Sequence, residues 1–339
     1  MKIGWRGLLG VVISVALLWW TLRGESFGDI WNVLRESRVT LFLLGAAVAT
    51  LMFPLRAWRW HYILEPTAGK IPFGRLWRAT AIGFMVNNVS PARAGELARA
   101  YVLTRETGRL PFTASLASLV VDRVFDTLVI LLLLLVAVSM PSFPAGATIG
   151  EWSVSRVLLV FTVVALTALL VLVLAAMFPD RLAQLWERAL GDRAPQVMAR
   201  GRDILLSFGS GLRVLRDFRQ SAIVFAWALA SWLVNAASFW ISLRAVGIEA
   251  PFSAALFLQS MLAFAVAAPS APGFFGVFEA ACKVALGVYG IDNTLAVSYA
   301  LGYHILGWIP ITAIGFWYLA KMGLHLREMG DVRRETGDR

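Results

Sequence analysis

The sequence is poor in cysteine and in charged residues, and these shortages exclude several classes of protein. Its single cysteine, Cys282, permits no intramolecular disulfide and no cysteine-based zinc cluster. Charged residues make up only 15% of the chain, well below the roughly 25% typical of soluble domains. No G-x-x-x-x-G-K-[ST], H-E-x-x-H or G-x-S-x-G sequence occurs, so no ATP-binding loop or known catalytic arrangement is visible. We expect no cofactor, no metal and no enzymatic activity.

Apolar residues, in contrast, are abundant. The 339 residues are 59% hydrophobic and their mean hydropathy is +0.71, which is typical of a polytopic membrane protein. The net charge of +10 could suggest nucleic acid as a partner, but the basic residues fall between apolar runs, where they suit loops facing anionic lipid head groups. The sequence therefore predicts an integral membrane protein with no nucleic-acid partner.

Six segments read as full transmembrane helices, and two interrupted stretches read as re-entrant helical hairpins. The predicted spans are residues 7–22, 39–55, 111–140, 157–177, 221–243 and 294–320. The first interrupted stretch, residues 79–92, is too short to cross a bilayer and ends in the helix-stopping pair Ser90-Pro91. The second, residues 252–291, is broken between Pro269 and Gly276. The predicted fold is thus an all-α polytopic membrane protein.

The basic residues also predict an orientation. The loop after the second span carries mostly arginine and lysine, so the positive-inside rule places it in the cytoplasm, together with both termini. Residues 180–219 are strongly basic and show apolar residues at helical spacing, which predicts an amphipathic cytoplasmic segment. We expect one transmembrane domain, residues 1–322, and a cytoplasmic tail, residues 323–339. The expected location is a prokaryotic cytoplasmic membrane.

The two breakers resemble each other in spacing. Pro91 and Pro272 are each followed four residues later by a glycine and soon afterwards by a glutamate. If one hairpin opens inward and the other outward, residues 39–140 and 221–320 form an inverted repeat of the kind that builds many transporters. Chance resemblance is the alternative interpretation.

The polar residues around the first breaker form our candidate binding site. Non-helical backbone inside a membrane is tolerated only where it is buried in protein or lines a wet cavity. Residues 93, 96 and 99 recur at a spacing of three and share a helix face, and the planar guanidinium groups of Arg93 and Arg99 suit a phosphate. The alternatives are a solvated cytoplasmic stripe and an internal salt bridge of Arg123 with a nearby acid. The candidate substrate-binding residues are Asn87, Asn88, Arg93, Glu96, Arg99 and Arg123.

Four further ionisable residues lie within apolar helices. For Asp122, Arg123 and Asp126, each charge would cost about 2.5 to 3.5 kcal/mol if it faced lipid, so these residues must face protein, water or one another. The four residues are candidates for a proton relay or for pairing helices. Glu279 lies four residues from Lys283, so mutual pairing is an alternative, and a lone histidine is often a hydrogen-bonded core residue. These residues are Asp122, Asp126, Glu279 and His304.

Together these motifs resemble a known family of membrane proteins. The residues that carry the likeness are Asn88, Pro91, Arg93, Gly95, Glu96 and Arg99, then Asp122, Arg123 and Asp126, then Pro272, Gly273, Gly276 and Glu279. The pattern is similar to the flippase-like family named for the transmembrane region of lysylphosphatidylglycerol synthase. The resemblance covers roughly residues 10 to 320 and implies a stand-alone membrane domain that moves anionic or isoprenoid-linked lipids between leaflets. It does not carry over lipid lysylation. Where the family leads us to expect an arginine in the last helix, the chain has His304.

The sequence therefore favours a lipid flippase or translocator. Its predicted partner is a membrane lipid with an anionic head group or a polyprenyl phosphate, and an oligomer is left open. Two alternatives remain at this point: a membrane-embedded enzyme acting on a lipid phosphate, and a non-transporting partner of a lipid-modifying enzyme that docks through residues 180–219.

Overall fold

The computed structural model describes residues 5–90, 94–149, 151–178, 181, 213–266 and 270–324. Several of the predictions concern residues outside the described ranges. They concern Arg93 and Pro91 in the first breaker, most of the basic segment 180–219, and nearly all of the tail 323–339.

The described residues form eleven α-helices and a two-stranded antiparallel sheet, which confirms the all-α prediction. The helices are α1 (Trp5–Leu22), α2 (Phe27–Glu36), α3 (Val39–Ala68), α4 (Phe73–Val89), α5 (Gly95–Thr107), α6 (Phe112–Ser139), α7 (Val154–Met177), α8 (Phe218–Leu243), α9 (Phe252–Ala265), α10 (Val277–Gly287) and α11 (Asn293–Lys321). The strands are β1 (Thr148–Ile149) and β2 (Trp152–Ser153).

Three of the described helical segments are both long enough and apolar enough to cross a membrane. They are α3, α8 with its short extension to Val246, and α11, with lengths of 30, 29 and 29 residues. At about 1.5 Å per residue each exceeds the roughly 30 Å hydrocarbon thickness. The structure therefore has the character of a membrane protein, and helices α6 and α7 occupy the positions predicted for two further spans.

Helix α3 contradicts the predicted end of the second span. We expected the span to stop at residue 55 and to leave Arg56 and Arg59 in a cytoplasmic loop. The helix instead continues through Pro54 to Ala68, and both arginines are buried, with 2% and 0% of their surface exposed. They can be buried because they pair with carboxylates on α6, and those partners cannot be recognised from the local sequence.

Two short elements occur where the sequence predicted only loops. Helix α2 has Ser26 as its N-cap, and the Ser26 hydroxyl accepts a hydrogen bond from the Asp29 N–H. Strands β1 and β2 pair residue 148 with 153 and residue 149 with 152, within the predicted loop after α6. Neither element reaches the candidate site.

Helices α4 and α5 pack against each other as a short hairpin. Glycine permits their close approach, because a Cβ atom on Gly83 would lie 2.9 Å from the carbonyl oxygen of Gly95 and 2.9 Å from the Cβ of Arg99. Helices α9 and α10 form a second hairpin, whose connection contains Gly273 and Gly276 with φ angles of +71° and +85°. Both predicted breaks are therefore present, one between α4 and α5 and the other between α9 and α10.

The connections of the two hairpins meet inside the molecule. A Cβ atom on Gly273 would lie 3.2 Å from the carbonyl oxygen of Asn88, which ends the first arm of the other hairpin. The Asn88 Nδ2 donates a hydrogen bond of 2.7 Å to Thr312 Oγ1 on α11. Helix α1 supports the second connection from outside, because Ser14 Oγ accepts a hydrogen bond of 2.8 Å from the Ala271 N–H. Polar groups therefore hold both breaks in place.

Candidate functional site

A network of buried arginines and aspartates joins α3, α5 and α6. Arg59 donates from Nε to Asp122 Oδ1 and from Nη1 to Asp126 Oδ1, each at 2.7 Å. Arg56 Nη1 lies 2.9 Å from Asp126 Oδ2, and Arg99 Nη1 lies 3.2 Å from Asp122 Oδ2. The spacing of three between the α3 arginines and of four between the α6 aspartates turns each pair towards the other helix.

Asp126 is the most heavily bonded member of this network. Besides Arg56 and Arg59, it accepts a 3.3 Å hydrogen bond from Arg123 Nη1 and a 2.7 Å hydrogen bond from the Trp232 indole N–H on α8. Four donors at one carboxylate compensate for the cost of removing the charge from water. Asp126 therefore connects the first hairpin's supporting helices to α8.

Positive charge exceeds negative charge in the network. Four guanidinium groups face the three carboxylates of Glu96, Asp122 and Asp126. Arg99 is the least satisfied of the arginines, because its Nε and Nη2 are buried and have no hydrogen-bond partner among the described residues. Its guanidinium carbon lies 4.0 Å from the centre of the Trp60 ring, so a cation–π contact partly compensates for the hydrogen bonds that Arg99 does not make with the described residues.

The pair formed by Glu96 and Arg123 is the accessible edge of the network. Arg123 Nη2 donates to Glu96 Oε1 at 2.7 Å, and the two side chains are 43% and 27% exposed. Asn87 orients this edge, since its Oδ1 accepts a hydrogen bond from the Gly95 N–H and its Nδ2 lies 3.4 Å from Glu96 Oε2. An anion reaching the network would therefore meet Arg123 first.

Glu279 and His304 form a second buried pair, which links α10 to α11. His304 Nδ1 lies 2.6 Å from Glu279 Oε1, and His304 Nε2 lies 2.8 Å from the carbonyl oxygen of Gly273. A carbonyl oxygen can only accept, so Nε2 is the ring nitrogen that donates to Gly273 in this arrangement. Lys283 does not pair with Glu279, because its Nζ lies 2.8 Å from Glu25 Oε1 beside α1.

A cavity of about 240 Å³ lies where the two hairpin connections meet α3, α8 and α11. Its wall is mainly aromatic and aliphatic, with Asn88 and His304 among its polar members. Two rings of this wall, those of Trp232 and Phe84, also contact the Arg56 guanidinium, at 5.1 and 5.6 Å from the ring centres. The cavity and the charged network therefore share a wall.

Two buried N–H groups on cavity-lining side chains have no hydrogen-bond partner among the described residues. They are the Gln259 Nε2 and the Trp308 indole N–H. Unsatisfied buried donors are rare in folded proteins. Both donors therefore belong to side chains that border the cavity.

The predicted site residues fall into three places. Asn87, Glu96 and Arg123 lie together at the accessible edge, Arg99, Asp122 and Asp126 lie in the buried network, and Asn88 and His304 line the cavity beside Glu279. The sequence analysis missed Arg56 and Arg59 as members of the site, and it also missed Trp232. The matching spacings of the α3 arginines and the α6 aspartates were the signal that could have found the first two.

Comparison with known proteins assigns the chain to a family. The sequence profile of the family described as the lysylphosphatidylglycerol synthase TM region matches residues 7–315. The chain belongs to this family. Its relatives include two UPF0104 membrane proteins of Methanothermobacter thermautotrophicus. One is 24% identical over 85% of both chains, and the other is 26% identical over 77% of both chains.

A further relative carries an enzyme's name. The protein called glycosyltransferase AglD from Haloferax volcanii is 36% identical over 124 residues, which are 37% of this chain. The match spans only 19% of that relative's own length. The relatives support a membrane role connected with lipids.

Proposed function

We propose that this protein is a lipid translocator, which moves an anionic or polyprenyl-linked lipid across the membrane. The observation that carries the proposal is the cavity at the meeting point of two broken helices, beside a buried network with excess positive charge. Interrupted helices in corresponding places are typical of substrate sites in transporters. A mostly apolar wall with a few hydrogen-bonding groups suits a molecule that is itself amphipathic.

The cavity is smaller than the lipid it would serve. Pockets that hold drug-sized ligands measure about 300 to 1,000 Å³, whereas this one measures about 240 Å³. Passage of a lipid therefore requires the two hairpin connections to separate. The contacts that hold them, between Asn88 and Thr312 and between His304 and Gly273, are few and local, so they can break without unfolding α11.

Filling the cavity tests this proposal. A Cβ atom on Gly307 would meet nothing closer than 3.8 Å, and the residue lines the cavity, so Gly307→Leu should occupy the cavity without disturbing α11. Gly287→Leu is the matched control, because this helical glycine faces open space at the end of α10. In proteoliposomes containing a fluorescent anionic lipid, only Gly307→Leu should stop leaflet exchange. Unchanged exchange in that variant would contradict the proposal.

The role of charge can be tested separately. Arg123→Gln removes the accessible guanidinium but leaves its partners Glu96 and Asp126 in place. We expect it to slow exchange of an anionic lipid more than exchange of a zwitterionic one, because the zwitterionic head group carries its own cation and only the anionic lipid has a net charge for the guanidinium to neutralise. If exchange of both lipids slowed equally, this would contradict a role for Arg123 in binding the lipid head group.

We also propose a cytoplasmic-membrane location with the loop between α3 and α4 inside. Excess basic residues on that side support this orientation. Cys282 is 0% exposed, so the native thiol should not react with a labelling reagent. Lys70→Cys should then react only from the cytoplasmic side and Ser142→Cys only from the outside. The opposite pattern would invert the topology.

A second candidate is a membrane-embedded enzyme acting on a lipid phosphate, and the relative named as a glycosyltransferase is what favours it. Incubation of the purified protein with candidate lipids, followed by mass spectrometry, separates the two. A covalently changed lipid would favour the enzyme, whereas retained but unchanged lipid would favour translocation.

A further inference from the structure

A second hollow lies away from the candidate site, beside ends of the helices that carry the charged network. It measures about 760 Å³ and is lined by the end of α3, the beginning of α4, the end of α5 and the beginning of α6. Along α5 and α6 it lies eight residues from Arg99 and Asp122, or roughly 12 Å at the helical rise. We call it the basic hollow. Among its lining residues are Lys70, Pro72, Arg75, Arg109, Pro111 and Ala114.

Three cations line the basic hollow, and none of its described lining residues is acidic. Lys70 lies in the connection before α4, Arg75 lies in the first turn of α4, and Arg109 precedes α6. Glu106, at the end of α5, accepts two hydrogen bonds from Arg78 at 2.7 and 2.6 Å. Arg75 Nε also pairs with it, at a longer distance of 4.0 Å, and no described carboxylate pairs with Lys70 or Arg109.

Two helices begin at the same hollow, and both begin with proline. Pro72 is the N-cap of α4 and Pro111 is the N-cap of α6, and neither helix has a side-chain capping hydrogen bond. The residue at the third position of each helix, Arg75 and Ala114, lines the hollow as well. The Arg75 N–H already donates to the Pro72 carbonyl oxygen at 3.0 Å. The contribution of each helix start is therefore the positive end of its dipole, about half a positive charge, which attracts anions. This effect adds to that of the three cationic side chains.

We propose that the basic hollow binds a phosphoryl anion of at least two negative charges, such as a phosphate monoester or a pyrophosphate. Three cations and two uncapped helix N-termini match that charge, and the volume leaves room for whatever the phosphate is attached to. The hollow lies at the helix ends, where lipid head groups lie, and it is open to small anions from solution. This binding is independent of the proposed translocation.

Two probes distinguish a lipid from a soluble anion. The protein is placed in nanodiscs of phosphatidylcholine, and binding is followed by thermal stabilisation either with phosphatidic acid added to the disc or with pyrophosphate added to the solution. Stabilisation in either arm supports the site, and the arm that responds identifies the source. Absence of stabilisation in both arms would overturn the proposal.

The variants locate the binding. Lys70→Gln combined with Arg109→Gln removes two exposed cations from the hollow, and Arg219→Gln combined with Lys321→Gln removes two cations outside it. We expect the first pair to weaken binding by about tenfold or more, since each lost charge-assisted hydrogen bond matters on that scale. The control pair should weaken it by less than about twofold, through screened long-range effects alone.

If both double variants weakened anion binding equally, the anion would be attracted by general surface charge rather than by the basic hollow. That result would overturn the proposal. Each single variant, Lys70→Gln and Arg109→Gln, provides a second readout if the double variant does not fold. Both singles should weaken binding by an intermediate amount, and an unchanged affinity in both would also overturn it.

Discussion

The α4–α5 hairpin packs beside buried charge, whereas the α9–α10 hairpin packs beside a single hydrogen-bonded pair. Arg99 on α5 joins a network with two α3 arginines and two α6 aspartates, while the hydrogen-bond partners of Glu279 among the described residues are His304 and the Gly276 N–H. Both hairpins begin with the same pair, since Pro72-Phe73 starts α4 and Pro251-Phe252 starts α9. Similar backbone construction thus supports two different electrostatic environments, and only the first suits an anion.

The largest difference should appear when one carboxylate is neutralised in each environment. Asp122→Asn leaves Arg99 buried without its charged partner and Arg59 with Asp126 alone, so the free energy of unfolding should fall by about 3 to 5 kcal/mol. Glu279→Gln keeps the carbonyl acceptor for Gly276 and should cost about 1 to 3 kcal/mol. Thermal unfolding in detergent micelles measures both. Equal losses would show that the two environments do not differ in this respect.

Within the charged network, the arginines should differ according to their hydrogen bonds. Arg59 contacts both aspartates, whereas Arg99 makes one 3.2 Å contact and has two unpartnered nitrogens. Arg59→Gln should therefore lower the free energy of unfolding by about 3 kcal/mol or more, and Arg99→Gln by only about 1 to 2 kcal/mol. The same unfolding measurement ranks them, and a reversed order would mean that Arg99 is better satisfied than its contacts indicate.

The glycines at the two hairpin connections provide a smaller contrast. Alanine at Gly95 would overlap the carbonyl oxygen of Gly83, and alanine at Gly276 would overlap the carbonyl oxygen of Ser14 while also adopting a φ of +85°. Overpacking costs about 1 to 3 kcal/mol, and the left-handed conformation adds about 1 to 2 kcal/mol.

Gly276→Ala should therefore be the more destabilising variant. Gly290→Ala is the control for backbone strain alone, because Gly290 has a φ of +71° and no neighbour within 4 Å. A Gly276→Ala variant no less stable than Gly290→Ala would show that α1 moves aside.

The smallest effects should come from the single hydrogen bonds that fix each connection. Thr312→Val removes the acceptor for Asn88 in the first hairpin, and Ser14→Ala removes the acceptor for the Ala271 N–H in the second. Each should cost about 1 kcal/mol of stability. If the connections separate during lipid exchange, both variants should also raise the exchange rate in proteoliposomes. A lower rate in either variant would count against separation as the limiting step.

Much of the helical layout could be predicted because apolar runs and breakers are local features. Helix α11 was expected at residues 294–320 and lies at Asn293–Lys321, and the predicted breaks after Val89 and before Gly276 are both present. The end of α3 was predicted wrongly because it depends on a residue far away in the chain. Arg56 looks like the start of a loop when only its neighbours are considered, and it is buried because Asp126, seventy residues away, pairs with it.

The same distinction between local and distant features applies to the candidate site. Its ionisable residues could be recognised individually, since a charge in an apolar helix must have a partner or a function. Which partner each one has was not predictable: His304 joins Glu279 and Lys283 joins Glu25, although Lys283 is the nearer neighbour of Glu279 in the chain.

The sequence alone determined the membrane class, the helical segments, the two breaks and the identity of the charged residues, because each of these depends on residues close together in the chain. Only the tertiary structure decided that three arginines are buried, that the two breaks meet at one cavity, and that a separate basic hollow lies where ends of the same helices come together. These features depend on how distant helices pack. Burial makes a charge costly unless a distant partner lies within hydrogen-bonding distance, so packing determines which arginines are enclosed and which remain free to bind an anion.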